Sequence, residues 1–422
     1  MSPVRFTTVV VEPLTVSVQT KEETPAIAAL TATFTVTGEV MKNPFPYYTE
    51  LRNEAPVAWI EPLQGWALSR YADVDFALRN PQIFSSSGFT GQTLGELNPV
   101  PDVPWILDMN PPDHTRLRKL ANKGFLPRII RSLEPRVQEI TRQLIASLRS
   151  QTEGDLVAKL SGPLPTTVIA EMLGVETERV DDFKRWSDDM VLGTSRPTDE
   201  AVRDRVRNSG AALRDYFARL IERRRTDPGE DVITALVRAE EERDMLSASE
   251  ILALAILLLL AGNETTTNLI GNAVRNLLSH PAELAKVRAD RALVPSLVEE
   301  VLRYDSPVQL IPRVTAREVE LEGGKIPAGA IVFLLLGSAN RDERKFPQPD
   351  RFDVTRNPQD HVAFGYGIHY CLGAPLARLE ARIALESLLF DCPPFTCTRE
   401  PLPPIASIIV RGVQTLPLRF AA

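Results

Sequence analysis

The 422-residue chain has 44% hydrophobic and 24% charged residues and a formal charge of −7, with 48 Lys and Arg against 55 Asp and Glu. This is a water-soluble globular balance with enough apolar material for a large core, and it argues against general nucleic-acid binding. Three cysteines, Cys371, Cys392 and Cys397, are too few for a disulfide framework and lack zinc spacing, so a reducing, cytoplasmic setting is expected. The longest apolar run, 251–261, falls short of the roughly 20 residues of a membrane span, and no targeting signal is read at the N-terminus.

In chain order, residues 1–40 come first, rich in Thr and Val ("TTVVVEPLTVSV", "TATFTVTGEV") and distinct in composition from the rest of the chain. They are read as an N-terminal extension, ordered or not, ahead of a single folded domain over 41–422. Removing them is expected to leave folding intact. From "NPFPYYTELR" onward helical periodicity dominates, with short strand-like pieces in "GWALS" and "GGKIPAGAIVFLLL". The 34 prolines punctuate short connections, and no Gly/Ser linker divides the chain. The fold class expected is mainly α with small β-sheets.

One helix stands out. "SASEILALAILLLLAGNETTTNLIGNAVRNLLSHP" places Ser247 and Glu250 in capping-box spacing and stops before Pro281. That predicts about 32 helical residues, roughly 48 Å, apolar nearly all round in the first half and therefore running through the core. Its leucines are interrupted by "AGNETTTN". Glycine inside a helix costs roughly 1 kcal/mol against alanine, and a carboxylate among leucines needs a partner or a raised pKa. On this segment alone, a polar helix contact explains the interruption as well as a functional role does.

Further on, "HVAFGYGIHYCLGAPLARLEARIALESLL" holds Phe364, Gly367, Cys371 and Gly373 as F-x-x-G-x-x-x-C-x-G. From the composition the chance expectation of that pattern is roughly 3 × 10⁻⁴. Glycines let a tight loop approach a flat ligand. A helix starting after Gly373 turns its positive end toward the sulfur and favours a thiolate.

This stretch resembles the haem-binding loop of the cytochrome P450 monooxygenases, soluble bacterial type, and the resemblance extends from about residue 43 to 422. It implies the triangular, helix-rich P450 fold as one catalytic domain, with the long helix crossing over the haem. It implies haem b (iron protoporphyrin IX) on the thiolate of Cys371, the metal ligand, with Phe364 and Gly365 in the cofactor loop. "AGNET" matches the oxygen-activation segment: Ala261 and Gly262 would leave room for dioxygen, and Glu264 and Thr265 would be the acid-alcohol pair that delivers protons. His114 and Arg118 in "HTRLR", Arg313 in "LIPRVTA" and His369 match the propionate partners, while His280 and His361 are read as capping or surface residues. Glu300 and Arg303 in "EVLR", with Arg351 in "FPQPDRFDV", match a buried structural network; taken alone, such an i,i+3 pair is more often a solvated surface pair.

Positions matching the substrate pocket include Val308, Leu310, Ile311, Ile409 and Val410, whose apolar side chains suggest a lipophilic small molecule. The implied reaction inserts one oxygen atom of dioxygen by hydroxylation or epoxidation in a cytoplasmic monomer, with neither nucleic acid nor membrane as partner. A haem sensor or a peroxide-driven peroxygenase is disfavoured by the Glu264–Thr265 pair. The chain has no G-x-G-x-x-G segment and no iron–sulfur cysteine set, so electrons must come from a ferredoxin or flavodoxin with its reductase. Arg116, Lys119, Lys123, Arg378 and Arg382 are the basic candidates for docking it.

Overall fold

The computed structural model describes residues 39–421 apart from 151, 195–196, 198 and 244–245. The proposed extension lies outside these residues, except for its last two. Helices dominate. Those that build the site are α1 (Phe45–Glu54), α2 (Asp113–Ala121), α3 (Pro127–Arg149), α4 (Pro163–Met172), α5 (Val180–Gly193), α6 (Glu200–Thr226), α7 (Ala248–Ser279), α8 (Val294–Tyr304) and α9 (Ala374–Phe390).

Helix α7 begins and ends where the sequence places it. Ser247 Oγ accepts from the Glu250 N–H while the Glu250 carboxylate accepts from the Ser247 N–H, so the capping box is complete. Pro281 opens the next helix, since its ring is tolerated only in a first turn. At 32 residues α7 is long and apolar enough to cross a membrane by length and composition, yet it is packed in the core against α4, α5, α6, α8 and α9. Its leucines, with those of α3, α4 and α9, form the main core cluster.

A mixed five-stranded sheet stands to one side, in the order β1 (Val57–Ile60), β2 (Gly65–Leu68), β5 (Ile331–Leu334), β4 (Ile311–Thr315), β3 (Phe84–Ser85). β2 and β5 run parallel, Trp66 opposite Val332, whereas β4 is antiparallel to β5, with Ile311 opposite Leu334 and Arg313 opposite Val332. Because side chains alternate along a strand, Ile311 and Arg313 share one face of β4 and Leu310 falls to the other. A three-stranded sheet ties 153–155 to the C-terminal strands, and a hairpin joins 319–321 to 324–326.

The Glu300–Arg303 pair on α8 is fully buried. Arg303 grips Glu300 with Nε and Nη2, both at 2.8 Å, and donates its remaining hydrogens to the carbonyls of Asn340, Pro349 and Arg351. Arg351 itself is a correction to the expected network. Its side chain is 57% exposed and faces Asp353, so only its carbonyl takes part. The second arginine is Arg356, whose Nε reaches Glu300 Oε1 at 3.3 Å while its other nitrogens donate to the carbonyls of Pro347, Gln348 and Arg351. The chain turns between 351 and 356, and the turn aims the later side chain inward.

Candidate functional site

The cysteine loop is shaped by two glycines in the left-handed region, Gly365 (φ +68°) and Gly367 (φ +70°). A side chain at Gly367 would also strike the Leu78 carbonyl, 2.6 Å from the Cβ position, whereas around Gly365 nothing comes closer than 3.9 Å. The loop is closed by the Cys371 N–H donating to the Phe364 carbonyl at 2.9 Å, and α9 starts three residues later. Burial pushes the Cys371 thiol up; against this, the N–H groups of Gly373 and Ala374 and the charges of Arg118 and Arg378 favour the thiolate. Phe364 lies beneath the Arg378 guanidinium, 4.6 Å from ring centre to charge.

Behind the loop is a group that the sequence reading missed. Glu299 accepts from Arg378 at 2.7 and 2.9 Å and pairs with His361 at 3.0 Å. Burial raises the Glu299 carboxyl, but these hydrogen bonds hold it down to about 2. His361 is therefore a buried partner and not a surface residue; its available signal was the doubled glutamate at 299–300. His280 caps α7 by pairing with the Asn276 carbonyl at 2.8 Å.

Four positively charged or donor-capable side chains converge beside the loop. His114 and Arg118 share one face of α2 at i,i+4, and the His114 and His369 rings lie 4.2 Å apart. Arg118 donates to the Tyr370 carbonyl at 2.6 Å. Arg313 is buried on β4 and, among the described residues, donates only to the neighbouring Pro312 carbonyl. Burial alone lowers it, to about 10, with no carboxylate offsetting the cost. His114 is pushed down to about 4 and His369 to about 3, in both cases first by burial and then by nearby cations. The Nε2 atoms of both histidines are buried without a hydrogen-bond partner among the described residues. Cations and donors that are buried or half-buried with no acid among them call for an anionic ligand, and a planar group with two carboxylates, as haem has, fits that donor set.

On α7 the polar interruption divides by helix face. Asn263 accepts from Thr166 of α4 at 2.7 Å, Thr267 donates to the Asn263 carbonyl, and Asn272 and Asn276 bind the Asp305 region. These residues secure helix packing. Ala261 is exposed and Thr265 half-buried, one turn apart, so the two form an uncovered stripe on a helix that is mostly buried. The Thr265 hydroxyl donates to the Ala261 carbonyl at 2.8 Å. Gly262 departs from expectation: the space for its side chain lies against Ile169 of α4, 3.1 Å away, so its missing side chain serves helix packing. It is rotated about 100° from Ala261 on the helix. Glu264 is buried and its carboxyl raised, first by burial and then by Asp188, against a lowering by Lys184. Asn268 donates to it at 3.2 Å.

Among the expected pocket residues, Val308 bridges Val410, and the Gln309 N–H donates to the Ile409 carbonyl at 2.7 Å, so these segments meet. Ile311 is half-buried on the face of β4 that carries Arg313. Leu310 is the correction: only 1% exposed, it packs with Tyr48, Leu51 and Ile60 in a separate core cluster. Of the five basic docking candidates, Arg116 pairs with Glu250, Arg378 with Glu299, and Arg382 with Glu134 and Glu386. Lys119 and Lys123 are exposed and enter no ion pair among the described residues.

Residues 66–412 match the family model described as Cytochrome P450. The chain is 44% identical over 390 residues to cytochrome P450 107B1 of Saccharopolyspora erythraea, covering 89% of this chain and 94% of that protein. It is 41% identical over 391 residues to the vitamin D(3) 25-hydroxylase of Pseudonocardia autotrophica, covering 90% and 94%. Among solved structures, CYP109E1 from Bacillus megaterium in complex with testosterone superposes with a TM-score of 0.84 at 40% identity, over 92% of this chain and all of that one.

Proposed function

The chain belongs to the cytochrome P450 family, and from that membership we propose which of its residues carry the reaction. It is a haem-thiolate monooxygenase that inserts one oxygen atom of dioxygen into a lipophilic small molecule, drawing electrons from a redox partner. Haem b, when bound, supplies the iron at which dioxygen is activated. The observation that carries the residue assignment is the acid-free cluster beside the Cys371 loop in which His114 and Arg313 are buried and Arg118 and His369 half-buried. In this reading those four would hold the propionates, Cys371 would ligate the iron as thiolate, and Phe364 and Gly365 shape the loop that presents it.

The reaction consumes two electrons and two protons per dioxygen and releases one water, so protons must enter a dry cavity in a controlled way. Thr265 borders the cavity and its hydroxyl orders the incoming proton; Glu264, set behind it on the same helix, takes protons from the solvent side and passes them on. Ala261 leaves the helix surface bare where dioxygen must fit. Val308, Ile311, Ile409 and Val410 line the substrate side. The likeness to CYP109E1 with testosterone and to a vitamin D(3) hydroxylase supports a steroid-sized substrate, which spin-shift titration with testosterone and vitamin D3 would test. In Thr265→Ala, haem content should be retained while most electrons are diverted into hydrogen peroxide. Glu264→Gln should slow proton-dependent turnover by about 10²-fold, the lower end of general-acid contributions. Full coupling of Thr265→Ala on a substrate that gives a complete spin shift would remove that hydroxyl from the scheme.

The protein is read as a cytoplasmic monomer served by an acidic ferredoxin or flavodoxin. Since Arg116, Arg378 and Arg382 are neutralised within the chain, Lys119 and Lys123 carry the steering charge. Lys119→Glu with Lys123→Glu should lower first-electron transfer about tenfold at low salt, and the gap to wild type should close as the screening length shrinks. Stopped-flow reduction under carbon monoxide reads this directly. Equal rates for both proteins across the salt range would move the docking site elsewhere.

A further inference from the structure

We propose that Gly412 is a positioning residue for the proton relay: by lacking a side chain it seats the Asn268 carboxamide, which holds the Glu264 carboxyl in its working orientation. The proposal rests on the reading of Glu264 as the relaying acid. It is carried by a contact between the C-terminal segment and α7.

Asn268 is one helical turn beyond Glu264, and its Nδ2 donates to Glu264 Oε1 at 3.2 Å. Asn268 is 2% exposed, and its Oδ1 has no hydrogen-bond partner among the described residues. That oxygen is turned toward Gly412. A Cβ placed on Gly412 would stand 2.0 Å from Asn268 Oδ1 and 2.5 Å from its Cγ, far inside van der Waals contact. Gly412 is not among the glycines with positive φ, so its backbone suits any residue and the need for glycine is one of space.

The two backbones cannot simply separate to make room. Asn272, one turn beyond Asn268, donates to the carbonyls of Arg411 and Asp305, both at 3.0 Å, and the Ile405 N–H donates to the Gly412 carbonyl at 3.2 Å. The same segment carries Ile409 and Val410, so the chain that borders the substrate side also sets the acid's hydrogen bond. With the backbone held, a methyl at 412 must rotate the Asn268 carboxamide, and Glu264 loses its donor. The charged groups acting on Glu264, Asp188 and Lys184 of α5, are untouched by that change.

A donor to the carboxylate favours the charged form, so losing it should raise the midpoint at which Glu264 protonates. On the purified holoenzyme, the Glu264 carboxyl band is identified by infrared difference against Glu264→Gln. Its midpoint should rise by about one pH unit in Gly412→Ala and in Asn268→Ala. The double variant should shift no further than either single one, because both act through one contact. Oxygen-dependent NADH oxidation with a ferredoxin and its reductase should show a larger solvent isotope effect, with haem content and the carbon monoxide spectrum unchanged. An unmoved midpoint in Gly412→Ala, or additive shifts, would overturn the proposal. If Gly412→Ala does not fold, Gly412→Ala/Asn268→Ala should, since the obstructing carboxamide is gone; failure of both refutes the contact. A normal isotope effect and normal coupling in Glu264→Gln would instead refute the relay reading, which keeps the two failures apart.

Discussion

Cys371→Ala is expected to lose monooxygenation entirely, together with the red-shifted Soret band that thiolate-ligated ferrous haem shows with carbon monoxide. The loop itself should survive, because it is closed by the Cys371 N–H on the Phe364 carbonyl and by the conformations of Gly365 and Gly367, none of which needs the sulfur. What disappears is the one thiol that faces the N–H groups of Gly373 and Ala374. Neither other cysteine can replace it: burial pushes Cys392 up to about 11, and Cys397 sits on a C-terminal strand with its thiol on the Arg399 carbonyl. The cluster proposed for the propionates is untouched, so residual haem binding should remain, with a blue-shifted carbon monoxide band. A variant that kept the wild-type band would show that another atom ligates the iron.

The second large effect is on stability. Glu300→Ala should cost about 3–5 kcal/mol, because it leaves the buried guanidinium of Arg303 without its carboxylate. That is a large share of the roughly 5–15 kcal/mol that holds a domain folded. The loss also frees the Asp353 N–H, which donates to Glu300 Oε1 at 3.0 Å, and the Nε of Arg356. The two remaining arginines separate the observed network from the expected one. Arg356→Ala should cost about 1–3 kcal/mol through unsatisfied carbonyls and the lost ion pair, and Arg351→Ala less than about 0.5 kcal/mol, as for an ordinary surface change. Denaturant unfolding followed by far-ultraviolet dichroism and haem absorbance measures all three. A loss for Arg351→Ala equal to that for Arg356→Ala would contradict the network described.

The features legible in the sequence are those that depend on near neighbours. A capping box and a proline bound α7 within a residue of where they were read, because both act through backbone groups three or four positions away. Two glycines and a cysteine before a helix define the cysteine loop for the same reason: the φ values and the helix start are local. Which side chain arrives from a distance was not legible. An arginine spans several ångströms, so whether Arg351 or Arg356 reaches Glu300 depends on the turn between them as folded. Leu310 and Ile311 are equally apolar, and only the pairing of β4 with β5 decides which is fully buried and which lies half-buried on the face that carries Arg313.

The same division holds on α7, where local chemistry predicted a polar interruption but could not apportion it. Asn263 and Thr267 proved to serve the contact with α4 because that helix packs against their face, while Ala261 and Thr265 stay partly uncovered among the described residues. The pairing of His361 with Glu299, and of Gly412 with Asn268, joins residues 62 and 144 positions apart by their numbering. No periodicity or motif spans such separations. By itself, the sequence determined the family, the glycine-bounded cysteine loop and the long helix α7, since each is written in a few adjacent residues whose backbone chemistry is short-ranged. Only the tertiary structure decided which charges are neutralised, which polar groups are buried without partners and which glycine is kept for space, because those depend on packing between segments distant in the chain.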